Sequence, residues 1–294
     1  MRQFLPFPIL LILLLVFHRE AALGTAQGLL LWYQTLIPAL LPFILVTNAL
    51  SETNAWQAVA VTLRRLHFSR GYELMILLLG NLCGYPIGGK LINDFIRSGC
   101  LSAHRGNLLL PLASQASPMF ILGYIHLHIL KQCLPLPILL LSVYLPPFLR
   151  YLTIGAAGQD QQKTAPSESE SVPLRDTFMH SVQIMVMIGL YVILFSILLQ
   201  ILLPRMTSPI LQSVLAFLEI TTGLKLLTTL PFSPMVRTGL ICALTAFGGL
   251  CSALQTMGVI RHEEIHIKKY LLEKMLLSAG TFLLIMCYQY FISK

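Results

Sequence analysis

Apolar stretches recur along this chain, and four of them are interrupted near mid-length by glycine, proline and polar side chains. They cover approximately 4–17, 28–50, 72–97, 107–130, 133–154, 178–203, 208–230, 235–258 and 270–292. A membrane-crossing helix needs about 20 apolar residues, and most of these stretches reach that length. The interruptions are GNLCGYPIGGK at 80–90, PLASQASP at 111–118, EITTGLK at 219–225 and FGGLCSALQ at 247–255. Irregular backbone at bilayer depth is tolerated only where protein or a water-filled cavity satisfies its polar groups. One break reads as a helix kink. Four breaks point to a shared cavity.

Composition agrees. The chain is 56% hydrophobic and 11% charged, whereas a soluble domain carries about 25% charged residues. Lipid must therefore cover much of the surface. The expected fold is all-α, a polytopic membrane protein with eight or nine membrane elements. The net charge of +8 comes from residues scattered through short loops, as the positive-inside bias requires; no basic run suggests a nucleic-acid partner. Cys83, Cys100, Cys133, Cys242, Cys251 and Cys287 form no CxxC pair, which excludes a zinc knuckle or a disulfide framework as a reading. Arg2 and the apolar run from Phe4 to Phe17 resemble a signal peptide; with so many later spans, an uncleaved first helix is expected.

Residues 156–176 are polar and rich in Ser, Gln and Pro, the composition of a flexible linker. The expected organisation is an N-terminal helix and loop at 1–27, a first membrane repeat at 28–155, a linker at 156–177 and a second repeat at 178–294. Setting Cys83 against Cys251 aligns GNLCG at 80–84 with GGLCS at 248–252. Five apolar segments, counted inclusively, separate these breaks. The repeats are inverted if all five cross and parallel if one is re-entrant; inversion is the favoured expectation. Duplicated halves with broken helices that bind solute at their interface are a common plan of secondary transporters.

The breaks supply the candidate solute contacts. In the first, Gly84 allows a sharp turn and Pro86 suits a helix start, whose free amides and dipole favour an anion. Asn81, Tyr85, Gly88 and Lys90 are its candidate residues, with Lys90, Asp94 and Arg97 on one stripe. In the second, Ser117 can cap a helix beginning at Pro118, and Ser114 and Gln115 add neutral polar groups. The third contributes Glu219, Thr221, Thr222 and Lys225; ionisable residues inside a span default to function, against the plainer reading of Glu219 paired with a basic neighbour. Ser252 and Gln255 are the matching positions of the fourth. HEEIH at 262–266 fits the HExxH zinc-protease pattern, but it lies in a short basic loop, so no enzyme and no metal site are expected. No cofactor is expected either, and a coupling ion, H⁺ or Na⁺, has no sequence support.

GYPIGGKLINDFIRSG at 84–99, SPMFILGYI at 117–125, LEITTGLKLL at 218–227, FGGLCSALQ at 247–255 and KKYLLEKML at 268–276 resemble the YlbJ-like sporulation integral membrane proteins, within the nucleoside-recognition or Gate-domain group. The resemblance runs through most of 28–292. It departs at Gln115-Ala116-Ser117, where an Asn-rich stretch is expected. The resemblance implies two Gate repeats, a membrane location that includes the membranes around a forespore, and movement of dipicolinic acid, a small aromatic dianion. The residues themselves leave three readings open: a transporter of small organic anions, a transporter of nucleosides or other neutral solutes, and a non-transporting sporulation partner, each compatible with a homo-oligomer.

Overall fold

The computed structural model describes residues 6–52, 71–155, 174–262 and 264–292, and among them there is no strand. Most of the expected linker, 156–173, lies outside the described residues. The helices are α1 (Pro6–Val16), α2 (His18–Leu31), α3 (Ile37–Glu52), α4 (Gly71–Cys83), α5 (Ile87–Arg97), α6 (Ala103–Ala113), α7 (Pro118–Phe120), α8 (Leu136–Thr153), α9 (Leu174–Leu202), α10 (Pro209–Ala216), α11 (Ile220–Thr229), α12 (Pro234–Phe247), α13 (Gly249–Gly258) and α14 (Ile267–Ile292). A π-helical turn at Trp32–Leu36 joins α2 to α3, and a π-helical stretch at Ile121–Ile129 continues α7.

Five helical stretches are long and apolar enough to cross a membrane, or six if the bent α2–α3 pair is one span. Eight or nine membrane elements were expected. Much of the difference lies in 71–97 and 209–229, which fold back on themselves. Gly80 and Gly88 are eight residues apart, about 12 Å in a straight helix, yet a Cβ on Gly80 would lie 3.0 Å from the Gly88 Cα. A Cβ on Gly223 would likewise run into the Ala216 backbone seven residues earlier. The chain turns at Gly84, where φ is +78°, and at Phe217–Glu219. Glycine is what permits such contact, because it has no Cβ to separate the two backbones.

A folded-back pair, a broken span and an unbroken span occur in that order twice: α4/α5, α6/α7 and α8, then α10/α11, α12/α13 and α14. The register differs from the one expected. Cys83 ends the first arm of a folded-back pair, whereas Cys251 lies in a broken span. Local likeness between GNLCG and GGLCS reflects two kinds of break that share glycine, rather than equivalent positions. The two broken spans run antiparallel. Asn107, near the start of α6, bonds the Glu264 carbonyl (2.6 Å) and the His266 amide (3.0 Å), just beyond the end of α13. At the opposite face, Leu130 and Cys133 share a basin with Pro234 and Arg237 at the start of α12.

The elements group into a panel and a block. In the panel, α2 and α3 lie along α9. A Cβ on Gly24 would be 2.6 Å from the Ile197 Cα and one on Gly28 2.7 Å from the Ile193 Cα, so these glycines bring the two backbones together. Trp32 Nε1 donates to the Met185 carbonyl (2.9 Å). The block holds both folded-back pairs and both broken spans, with α8 and α14 packed on them. Two ion pairs anchor it: the buried Arg105 with Glu73 (2.6 Å) and the partly exposed Arg150 with Glu273 (2.7 Å). The outward faces of α8, α9 and α14 carry exposed large apolar residues such as Phe148, Leu190 and Leu283. This is the surface expected of an integral membrane protein in contact with lipid.

Candidate functional site

All four breaks meet in a narrow central cavity of about 30 Å³, closed on its other side by Leu36, Leu40, Ile188 and Val192 of the panel. Tyr85, Ser117, Glu219, Thr221, Ser252 and Gln255 line it. That space is about one water molecule's share of liquid volume, too small to hold an organic solute. Within each half the tip of the folded-back pair meets the break of the following span. The Leu250 and Cys251 amides donate to the Phe217 and Leu218 carbonyls (2.9 Å each). The Gln115 amide donates to Asn81 Oδ1 (3.3 Å). The halves touch where Tyr85 packs near Gly248 and where Tyr124 Oη donates to the Thr221 carbonyl (3.0 Å).

Two of the helix starts, those of α11 and α7, are not left open for a ligand. Glu219 is 1% exposed, and its carboxylate accepts from the Thr221 amide (2.9 Å), the Thr222 amide (2.6 Å) and the Thr221 hydroxyl (2.7 Å). It is a charged N-cap and fills the anion position of α11. Among the described residues no basic side chain pairs with it, which counts against the plainer reading of Glu219 as half of a structural ion pair. Ser117 Oγ accepts from the Phe120 amide (3.3 Å), which caps α7. At the first break α5 starts at Ile87, with Pro86 one position before it.

The two lysines expected at one site lie at opposite faces. Lys90 lines a cavity of about 340 Å³ with Asp94, Arg97, His180 and Arg261, and its Nζ donates to Asn48 Oδ1 of the panel (2.7 Å). Lys225 is exposed in a basin of about 880 Å³ with His128, Lys131 and Arg237, whose lining contains no acidic residue. The broken span α12/α13 connects them: Pro234 and Arg237 line the large basin, Ser252 and Gln255 the central cavity, and Gly258 and Arg261 the smaller one. At 1.5 Å per residue that path is about 40 Å, the thickness of a bilayer with its headgroups.

Other expected residues have structural places. Gly88 packs on the Ala113 carbonyl, and Asn81 ties the first folded-back pair to the next break. The partly buried Thr222 has a hydroxyl without a partner among the described residues. Ser114 and Gln115 are fully buried and hold a residue not anticipated, Lys274. Its Nζ donates to the Ser114 carbonyl (2.8 Å) and Gln115 Oε1 (3.0 Å). The signal was present in sequence: a lysine well inside the apolar helix of 267–292. The HExxH segment is not helical where described, with Glu263 outside the described residues. Its two histidines therefore do not sit one helical turn apart.

Over most of its length the chain is similar to the sporulation integral membrane protein YlbJ of Bacillus subtilis (strain 168), at 24% identity over 311 residues, covering 88% of this chain and 75% of that protein. No family model matches the chain, and no solved structure does.

Proposed function

We propose that this chain is a transporter or facilitator of small organic anions, with dipicolinate as the solute that its resemblance to YlbJ-like proteins implies. The observation that carries the reading is the closed cavity at four helix breaks, set between two cation-lined cavities at opposite faces. Basic walls around a low-dielectric cleft raise the local concentration of anions. The central lining is largely apolar, and apart from Glu219 its polar groups are neutral hydroxyl, amide and phenol groups, which supports a second reading, transport of nucleosides or other neutral solutes. The HExxH segment is read as structural, and the chain as no enzyme.

Uptake of radiolabelled dipicolinate into liposomes holding the purified protein is the direct test. Uptake is expected to saturate, and Lys90→Ala to abolish it while the variant still inserts into the membrane. Competition by uridine rather than by other dicarboxylates would favour the neutral-solute reading. Absence of any solute flux would leave a non-transporting sporulation partner.

A further inference from the structure

Lys274 lies on α14, 1% exposed, at the break between α6 and α7. Arg105 and Arg150 also lie in membrane helices, and each meets a glutamate. Among the described residues Lys274 meets only neutral oxygens, the Ser114 carbonyl and Gln115 Oε1. A permanent cation without a counter-ion is costly in such a place. The arrangement suits both forms of the amine. As –NH₂ it keeps two N–H donors for the two oxygens and presents a lone pair. As –NH₃⁺ it presents a third N–H instead. Two buried hydroxyls, Ser114 Oγ and Tyr270 Oη, stand near each other, and neither is tied into a close hydrogen bond among the described residues. One belongs to the residue whose carbonyl holds the amine, the other sits a helical turn before it. A hydroxyl can donate to the lone pair or accept from the third N–H.

We propose that Lys274 is a proton-binding site that couples solute movement to a proton gradient, an inference that rests on the transporter reading. The amine takes one proton from one aqueous face to become an ammonium, and returns it to the other face as the loaded break moves. An anion accompanied by one proton moves one less negative charge. Ser117, two residues beyond Gln115, lines the central cavity, so the state of Lys274 reaches the solute through one short segment. Several titratable groups stand on the elements around it. Arg105 on α6 is held by Glu73, and Tyr151 on α8 donates to Glu73 as well. Arg150 on α8 is paired with Glu273, and Tyr144 on α8 donates to the Ala116 carbonyl. Cys242 on α12, Cys251 on α13, Tyr85 and Tyr270 complete the set.

The test separates exchange from accumulation, using full-length protein in liposomes and radiolabelled dipicolinate. Wild type is expected to exchange dipicolinate without a pH gradient and to accumulate it when a gradient is imposed. Lys274→Gln, which cannot take a proton, and Lys274→Arg, which cannot release one, are expected to keep exchange and lose gradient-driven accumulation. Accumulation by Lys274→Gln at the wild-type level overturns the proposal. If neither variant exchanges, a pH dye inside wild-type liposomes decides: proton entry accompanying dipicolinate supports the coupling, and its absence overturns it. Wild-type exchange that is indifferent to the gradient also defeats the coupling but leaves the transporter reading intact. No wild-type exchange at all removes the transporter reading and this inference with it.

Discussion

Glu219 and Lys274 are buried ionisable groups at two different breaks, and each completes a helix end. The carboxyl group satisfies amides at the start of α11, and the amine donates to a carbonyl at the end of α6. Both placements follow the sign of the helix dipole. Glu219→Ala is expected to leave two buried amides without their partner and to cost about 2 kcal/mol, seen as a lower unfolding temperature in detergent. Glu219→Gln keeps an acceptor and is expected to lose less than half of that. A result with the alanine variant as stable as wild type would mean that water replaces the cap. Glu219 was legible in sequence as an ionisable residue inside an apolar run. Its role as a cap was not, because capping depends on where the preceding helix stops. Lys274 carries the same kind of signal, yet its partners are some 160 residues away in sequence, and nothing local announces them.

Broken helices were visible in sequence because glycine, proline and polar residues stand out against apolar background. Their geometry was less so. A helix that bends and continues, as α12/α13 does, and one that reverses, as α4/α5 does, contain the same residue types. The discriminating pattern is spacing: Gly80 and Gly88, or Ala216 and Gly223, place small residues on facing arms across a turn. Gly88→Ala is expected to push α5 away from the Ala113 carbonyl and to destabilise the protein by roughly 1–3 kcal/mol. Faster amide hydrogen exchange confined to α4 and α5 would accompany it. Gly155→Ala, where a side chain meets nothing within 4 Å, is the control and should exchange as wild type does.

Across the whole molecule, positive charge is divided unevenly between the two ends of the spans. Among the described residues Lys90, Arg97, Arg175, Arg261, Lys268 and Lys269 lie at one face. Arg19, Lys131, Arg205, Lys225 and Arg237 lie toward the other. We infer that the large basin opens away from the cytoplasm, the orientation in which the face with the larger number of basic groups lies inside. Cys133 is exposed and lines that basin. A membrane-impermeant maleimide added to intact cells is therefore expected to label Cys287→Ser, in which Cys133 is the exposed cysteine remaining among the described residues, and not Cys133→Ser/Cys287→Ser, and labelling only after permeabilisation would reverse the orientation. The seam between panel and block carries a further consequence. All three cavities lie along it, and at the centre it is faced by Leu36, Leu40, Ile188 and Val192. Dispersion contacts have little directional preference, so sliding one body along the other exchanges apolar neighbours for apolar neighbours. The hydrogen bonds that hold the breaks together stay inside the block and need not rupture. Such a seam acts as a lubricated bearing, and polar substitutions at Leu40 or Val192 would make it stick.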